Sequence, residues 1–160
     1  MTARQASDTA RQALQSGALG DAWTRAHGMV APAIPIEAPR GHTHAWFVPV
    51  LYQDRLLGYA EIGLDLRVHR YASFMRREGQ IEDCPPATHW LDPASVAQRA
   101  APWLQPGDTS GTPYLSHDTH PSRLAWAVPV QTPQGPERLI YVAGDAVYPA
   151  RAAGDGNGAT

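Results

Sequence analysis

The chain has 160 residues, 43% of them apolar, with 13 basic side chains against 15 acidic ones and a formal charge of −2. That length holds one compact domain or two very small ones, and that charge supplies no electrostatic pull toward nucleic acid or an acidic membrane. The lone Cys84 excludes an intramolecular disulfide, and no apolar run reaches the roughly 20 residues that a membrane-spanning helix needs.

Every basic residue is arginine, and the 15 prolines and 14 glycines favour turns and short strands over long helices. The N-terminal stretch Met1 to Gln5 lacks the apolar core of a signal peptide, so a cytoplasmic location is expected unless a leader is removed. The first element is a helix over Ser7–Leu19, capped by Ser7 or Asp8, with Ala10, Ala13 and Leu14 on one face. A second helical piece covers Asp21–His27, carries Trp23 and closes at Gly28. The segment Met29–Arg40, broken by Pro32, Pro35 and Pro39, reads as a surface loop in which the alternation of Ile34 and Ile36 allows a short extended piece.

Three strands follow, at about His44–Tyr52, Leu56–Leu64 and Arg67–Phe74. Their connections are short, so neighbours should pair antiparallel. Met75 to Asp92 forms a junction with stiff Pro85-Pro86. Asp92 and Pro93 then open a helix that includes Trp103 and ends near Pro106-Gly107. A polar loop over Asp108–Ser122 precedes strands at about Arg123–Gln131, Glu137–Ala143 and Ala146–Pro149. The small, polar tail Arg151–Thr160 is expected to be disordered.

The order repeats. Ala45-Trp46-Phe47-Val48-Pro49-Val50 returns as Ala125-Trp126-Ala127-Val128-Pro129-Val130, Trp23 is matched by Trp103, and Arg55-Leu56-Leu57 aligns with Arg138-Leu139-Ile140. Helix, loop and antiparallel meander, twice over, predict an α+β fold of two pseudo-repeats. The units would be 1–77 and 93–150, joined by 78–92, either separate or sharing one sheet.

The strand residues Trp126, Val128, Val130, Tyr141 and Val142, with Trp46, Val48 and Val50 in the first copy, resemble those of PepSY and cystatin-like modules. At the following hairpin Ala143-Gly144-Asp145-Ala146 stands in place of the acidic turn typical of PepSY. The resemblance implies a non-catalytic binding or inhibitory module and transfers no functional residue.

Two histidine pairs carry the metal chemistry open to this chain. His42 and His44 are alternate residues entering the first Trp strand, and His117 and His120 flank Asp118 before the second. Brought together they would suit zinc or copper. A hydrolase reading would draw on the Asp108–Ser122 loop, with His117 or His120 as base, Asp108 or Asp118 as orienting acid and Ser116 or Ser122 as nucleophile. Neither pattern matches a known helix or elbow motif. The leading expectation is a small soluble non-catalytic protein that binds a protein or peptide partner through strand edges or a groove between the repeats. Trp46 and Trp126 would line its aromatic surface unless they anchor the cores, and Arg67 and Arg70 would face an acidic partner. Open strand edges also allow a homodimer.

Overall fold

A computed structural model describes residues 2–118 and 123–150. The expected tail disorder therefore lies outside the described residues. Contacts divide the chain into two compact units, Met1–Trp90 and Leu91–Thr160. The secondary structure is α+β: four α-helices and ten strands among the described residues. None of those helices is long and apolar enough to cross a membrane.

In the first unit, helix α1 spans Ala3–Gln15, starting a full turn before the expected Ser7. The cause is a capping box. The Thr2 side chain accepts from the Gln5 N–H, and the Gln5 side chain accepts from the Thr2 N–H at 2.8 Å, so the first orphan donors are satisfied there. Ala6, Ser7, Ala10 and Leu14 consequently form the buried face. The short helix α2, Ala22–His27, is capped by Asp21, whose carboxylate accepts from the Thr24 N–H at 2.7 Å. Gly28 ends it, as expected.

The proline-punctuated segment is not a loop. It contains β1, Met29–Val30, and β2, Ile34–Glu37, which pair in turn along the same edge of β3, Thr43–Tyr52. Strands β4, Arg55–Gly63, and β5, Val68–Ser73, complete an antiparallel meander. At Gly58, β5 approaches β4 closely. A Cβ there would run into the Ala72 carbonyl oxygen and the Tyr71 hydroxyl, so only glycine fits.

One face of this meander carries Val48, Val50, Ala60 and Ile62, and α1 lies on it. The opposite face carries Phe47 and Tyr59, stacked at 4.5 Å between ring centroids. Phe47 also stacks on Trp90, from α3 (Ala87–Leu91), at 5.7 Å with the rings 4° from parallel.

In the second unit, α4 spans Pro93–Ala100 with Asp92 as N-cap and Pro93 in the first turn, as the sequence led us to expect. It stops short of the expected end, because Ala101–Trp103 tightens into a 3₁₀ turn. Trp103 is left 45% exposed and does not anchor a core. The expected Asp108–Ser122 loop holds two strands, β6 at Thr109–Ser110 and β7 at Tyr114–His117. Both pair with β8, Leu124–Gln131, which is followed by β9, Arg138–Ala143, and β10, Ala146–Pro149. Val96 and Ala100 are the buried residues of α4, which packs on β8 and β9.

The registers of the two meanders agree position for position. Pro49 faces Tyr59 and Val48 faces Ala60; the residues 80 positions on, Pro129 with Leu139 and Val128 with Ile140, face each other likewise. Gly58 opposes Val50 and Arg138 opposes Val130. By register, Arg138 therefore takes the place that Gly58 has, and not that of Arg55. The sequence match Arg55–Leu57 to Arg138–Ile140 is corrected by three positions, because a bulge at Val50/Leu51 lets the first hairpin reach further than the second.

Candidate functional site

The expected metal ligands do not assemble among the described residues, where no group of three or more His, Cys, Asp or Glu side chains could hold an ion. His42 sits in a tight turn before β3. Its N–H donates to the Pro39 carbonyl at 2.9 Å, its own carbonyl accepts from the Ala38 N–H at 3.0 Å, and it is exposed. His44, on β3, is also exposed. His117 closes β7 and is partly buried. His120 lies outside the described residues, as does Ser122.

Of the hydrolase candidates, the described ones hold these positions. Ser116 and His117 are consecutive residues of one strand, so their side chains leave opposite faces. Asp108 accepts from the Arg138 guanidinium at 2.8 Å and from the Gln105 N–H at 2.8 Å. The Arg138 hydrogen bond, with the Gln105 one behind it, holds its carboxyl below the usual range. Asp118 keeps 1% of its side chain exposed, takes a 2.7 Å hydrogen bond from the Tyr148 hydroxyl and pairs with Arg123 at 3.0 Å. These aspartates hold segments of the second unit together. Cys84 is 2% exposed, and burial pushes its thiol up, which disfavours the nucleophilic thiolate.

Of the residues expected to meet a partner, Trp126 keeps 3% of its surface and is a core residue, which corrects its assignment to an interface. Trp46 is half-buried against the α1 cluster, and its Nε1–H lacks a hydrogen-bond partner among the described residues. Arg70 is committed in part to its own unit. Its guanidinium donates to the Tyr59 hydroxyl at 2.9 Å and lies 5.7 Å from the centre of that ring. Arg67 is exposed, in the turn before β5.

The structure instead draws attention to the edge at β1. The Ala31 N–H donates to the Pro49 carbonyl at 2.9 Å, and Met29 and Val30 lie opposite Leu51 and Val50. In an antiparallel ladder, hydrogen-bonded residues alternate with residues whose polar groups point outward. Ala31 is a bonded residue, so Val30 turns its N–H and C=O away from β3. Among the described residues β1 has no strand on that outer side.

Ser7 of α1 fixes the link to β2. Its hydroxyl accepts from the Ala33 N–H at 3.0 Å and reaches the Ala31 carbonyl at 3.4 Å. Clefts flank the edge on both faces. On the α1 side, a cavity of about 560 Å³ reaches from Arg4 and Arg11 to Val30, and one of about 320 Å³ lies between Arg11, Arg25 and Met29. On the other side, about 350 Å³ opens among Met29, Pro32 and Leu51.

Sequence reasoning missed this site because it read Met29–Arg40 as a loop. A usable signal was present in the apolar pair Met29-Val30 between a helix-ending glycine and Pro32, and in Arg4 and Arg11, two turns apart on one helix. In the second unit the corresponding edge is Thr109–Ser110, where the Gly111 N–H donates to the Pro129 carbonyl at 2.8 Å and both strand residues are exposed. No family model matches the chain, and neither a curated protein nor a solved structure is detectably similar to it.

Proposed function

We propose that the chain is a small non-catalytic binding module that takes an extended protein or peptide segment as an added strand on the outer side of β1. The observation that carries this reading is the outward N–H and C=O of Val30 at an edge with a cleft on either face. Strand addition draws affinity from main-chain hydrogen bonds and specificity from pockets for alternate side chains. Natural proteins usually blunt such an edge. This one is two residues long and ends at Pro32, which limits unspecific pairing without closing the site. A binding role agrees with what the resemblance to PepSY and cystatin-like modules implies. The matched registers of the two meanders support descent of both units from one duplicated helix-on-meander unit.

The test is to select binders from a library of random extended peptides and then to methylate their backbone nitrogens at alternate positions. An added strand turns one alternate set of amides toward β1 and the other toward solvent. Methylating the first set should abolish binding, and methylating the second should spare it. Equal tolerance of both sets contradicts strand addition. On the protein side, Val30→Pro removes a donor that the protein's own ladder does not use, so fold is retained while affinity should drop about tenfold or more.

A further inference from the structure

The clefts beside β1 differ in chemistry, and the geometry points to the segment that fills both: an extended stretch in which acidic and apolar side chains alternate. This inference rests on the strand-addition reading above. Side chains of an added strand alternate between the two faces of the sheet. Val30 packs with Val50 on the α1 face, so the added residue opposite Val30 points its side chain along α1. Its two neighbours point to the other face, where Met29 pairs with Leu51.

The α1 face of the edge is basic. Arg4, Arg11 and Arg25 line its cavities, and Asp8 is the acidic group among them. Asp8 pairs with Arg11 at 2.7 Å, but both side chains are about half exposed, so the pair is weak and a second carboxylate can share it. Arg4 and Arg25 form no ion pair among the described residues. This is a local excess of positive charge on a chain whose net charge is −2. A guanidinium binds a carboxylate through two parallel hydrogen bonds, which matches an incoming Asp or Glu.

The opposite face is apolar. Met29 is 72% exposed, and with Pro32 and Leu51 it borders the cavity of about 350 Å³. Burial of that methionine under an aliphatic or aromatic side chain would remove a large exposed apolar surface. A second copy of the chain is a poorer occupant. Pairing β1 with its own copy about a two-fold axis would bring two arginine-lined faces toward each other.

The experiment is fluorescence anisotropy with three labelled seven-residue peptides. The first alternates leucine and glutamate, the second carries lysine in place of glutamate, and the third has the composition of the first arranged in blocks. The expected result is that the first binds at least about tenfold tighter than the others and weakens as salt is raised. A triple variant, Arg4→Glu, Arg11→Glu and Arg25→Glu, changes exposed side chains only and should shift the preference to the lysine peptide. Thermal melting confirms that the variant is folded.

Equal binding of the acidic and basic alternating peptides, with sensitivity to alternate backbone methylation retained, overturns the acidic class and leaves strand addition standing. Binding that ignores the methylation pattern overturns both. Failure of all three peptides up to about 1 mM overturns the proposal. So does a dimer in size-exclusion chromatography that Val30→Pro converts to monomer, because the edge is then occupied by a second copy.

Discussion

Replacing Ser7 by alanine tests how α1 is tied to the edge strand. Ser7 is 7% exposed, and its hydroxyl accepts from the Ala33 N–H at 3.0 Å. Its second bond, to the Ala31 carbonyl at 3.4 Å, is too long to contribute much. Removing the hydroxyl leaves the Ala33 N–H without its acceptor, at a cost of about 1–3 kcal/mol. Alanine is the better helix former, which returns about 0.5 kcal/mol. The net loss is therefore about 0.5–2.5 kcal/mol, equivalent to a fall in Tm of roughly 1–10 °C for a chain of this size. Urea unfolding followed by circular dichroism should show a lower midpoint at unchanged slope. Amide exchange at Ala33 should accelerate. A variant as stable as the parent, or more stable by the helix-propensity difference, would show that Ser7 does not hold the link between β1 and β2.

Phe47→Ala should cost about 3–5 kcal/mol, since the ring is buried between Tyr59 and Trp90; a loss below about 1 kcal/mol in urea unfolding would contradict that stack. Burial raises Tyr71 and Tyr148 to about 12, and for Tyr148 the hydrogen bond to Asp118 adds to the effect. A hydroxyl whose pKa is higher folded than unfolded contributes stability that is complete below about pH 10 and is lost as pH rises toward about 12. Burial raises Tyr59 and Tyr141 as well, so ultraviolet titration of the native protein should show a late-titrating set of tyrosines, one member of which Tyr148→Phe removes; six tyrosines titrating together near pH 10 would refute this. Asp108 behaves in the opposite sense. Its lowered carboxyl contributes stability above the unfolded value of about 4, lost as pH falls through the depressed folded value, so Asp108→Asn should flatten the acid limb of the stability curve.

The long strands were legible because β3, β4, β8 and β9 are near-continuous runs of apolar, β-branched and aromatic residues, as burial on both faces requires. Of the four short strands, only β2 left a trace, in the alternation of Ile34 and Ile36. β1, β2, β6 and β7 are two to four residues long, and they exist because β3 and β8 offer edges to pair with. Nothing local distinguishes Thr109-Ser110 from loop, and Met29-Val30 offers only an apolar pair between Gly28 and Pro32. The open side of β1 was hidden because it depends on register. Val30 gains its outward polar groups from the register with Val50, which is set by contacts distant in sequence. The start of α1 was legible in principle, because Thr2 and Gln5 have the spacing of a capping box. Trp23 and Trp103, matched in the sequence at 80 residues' spacing, part in role: Trp23 stacks on His27 at 4.4 Å between ring centroids, whereas Trp103 ends a 3₁₀ turn and is 45% exposed.

Hydrogen exchange at the Val30 amide, followed by NMR with and without the alternating leucine–glutamate peptide, tests the edge most directly. In the free protein that amide faces away from β3 and should exchange quickly, while the Ala31 amide, bonded to Pro49, should exchange slowly. With peptide bound, Val30 should become protected and Ala31 should stay as it was. A peptide that binds while Val30 continues to exchange at its free rate would show that the segment docks elsewhere and that β1 does not accept a strand.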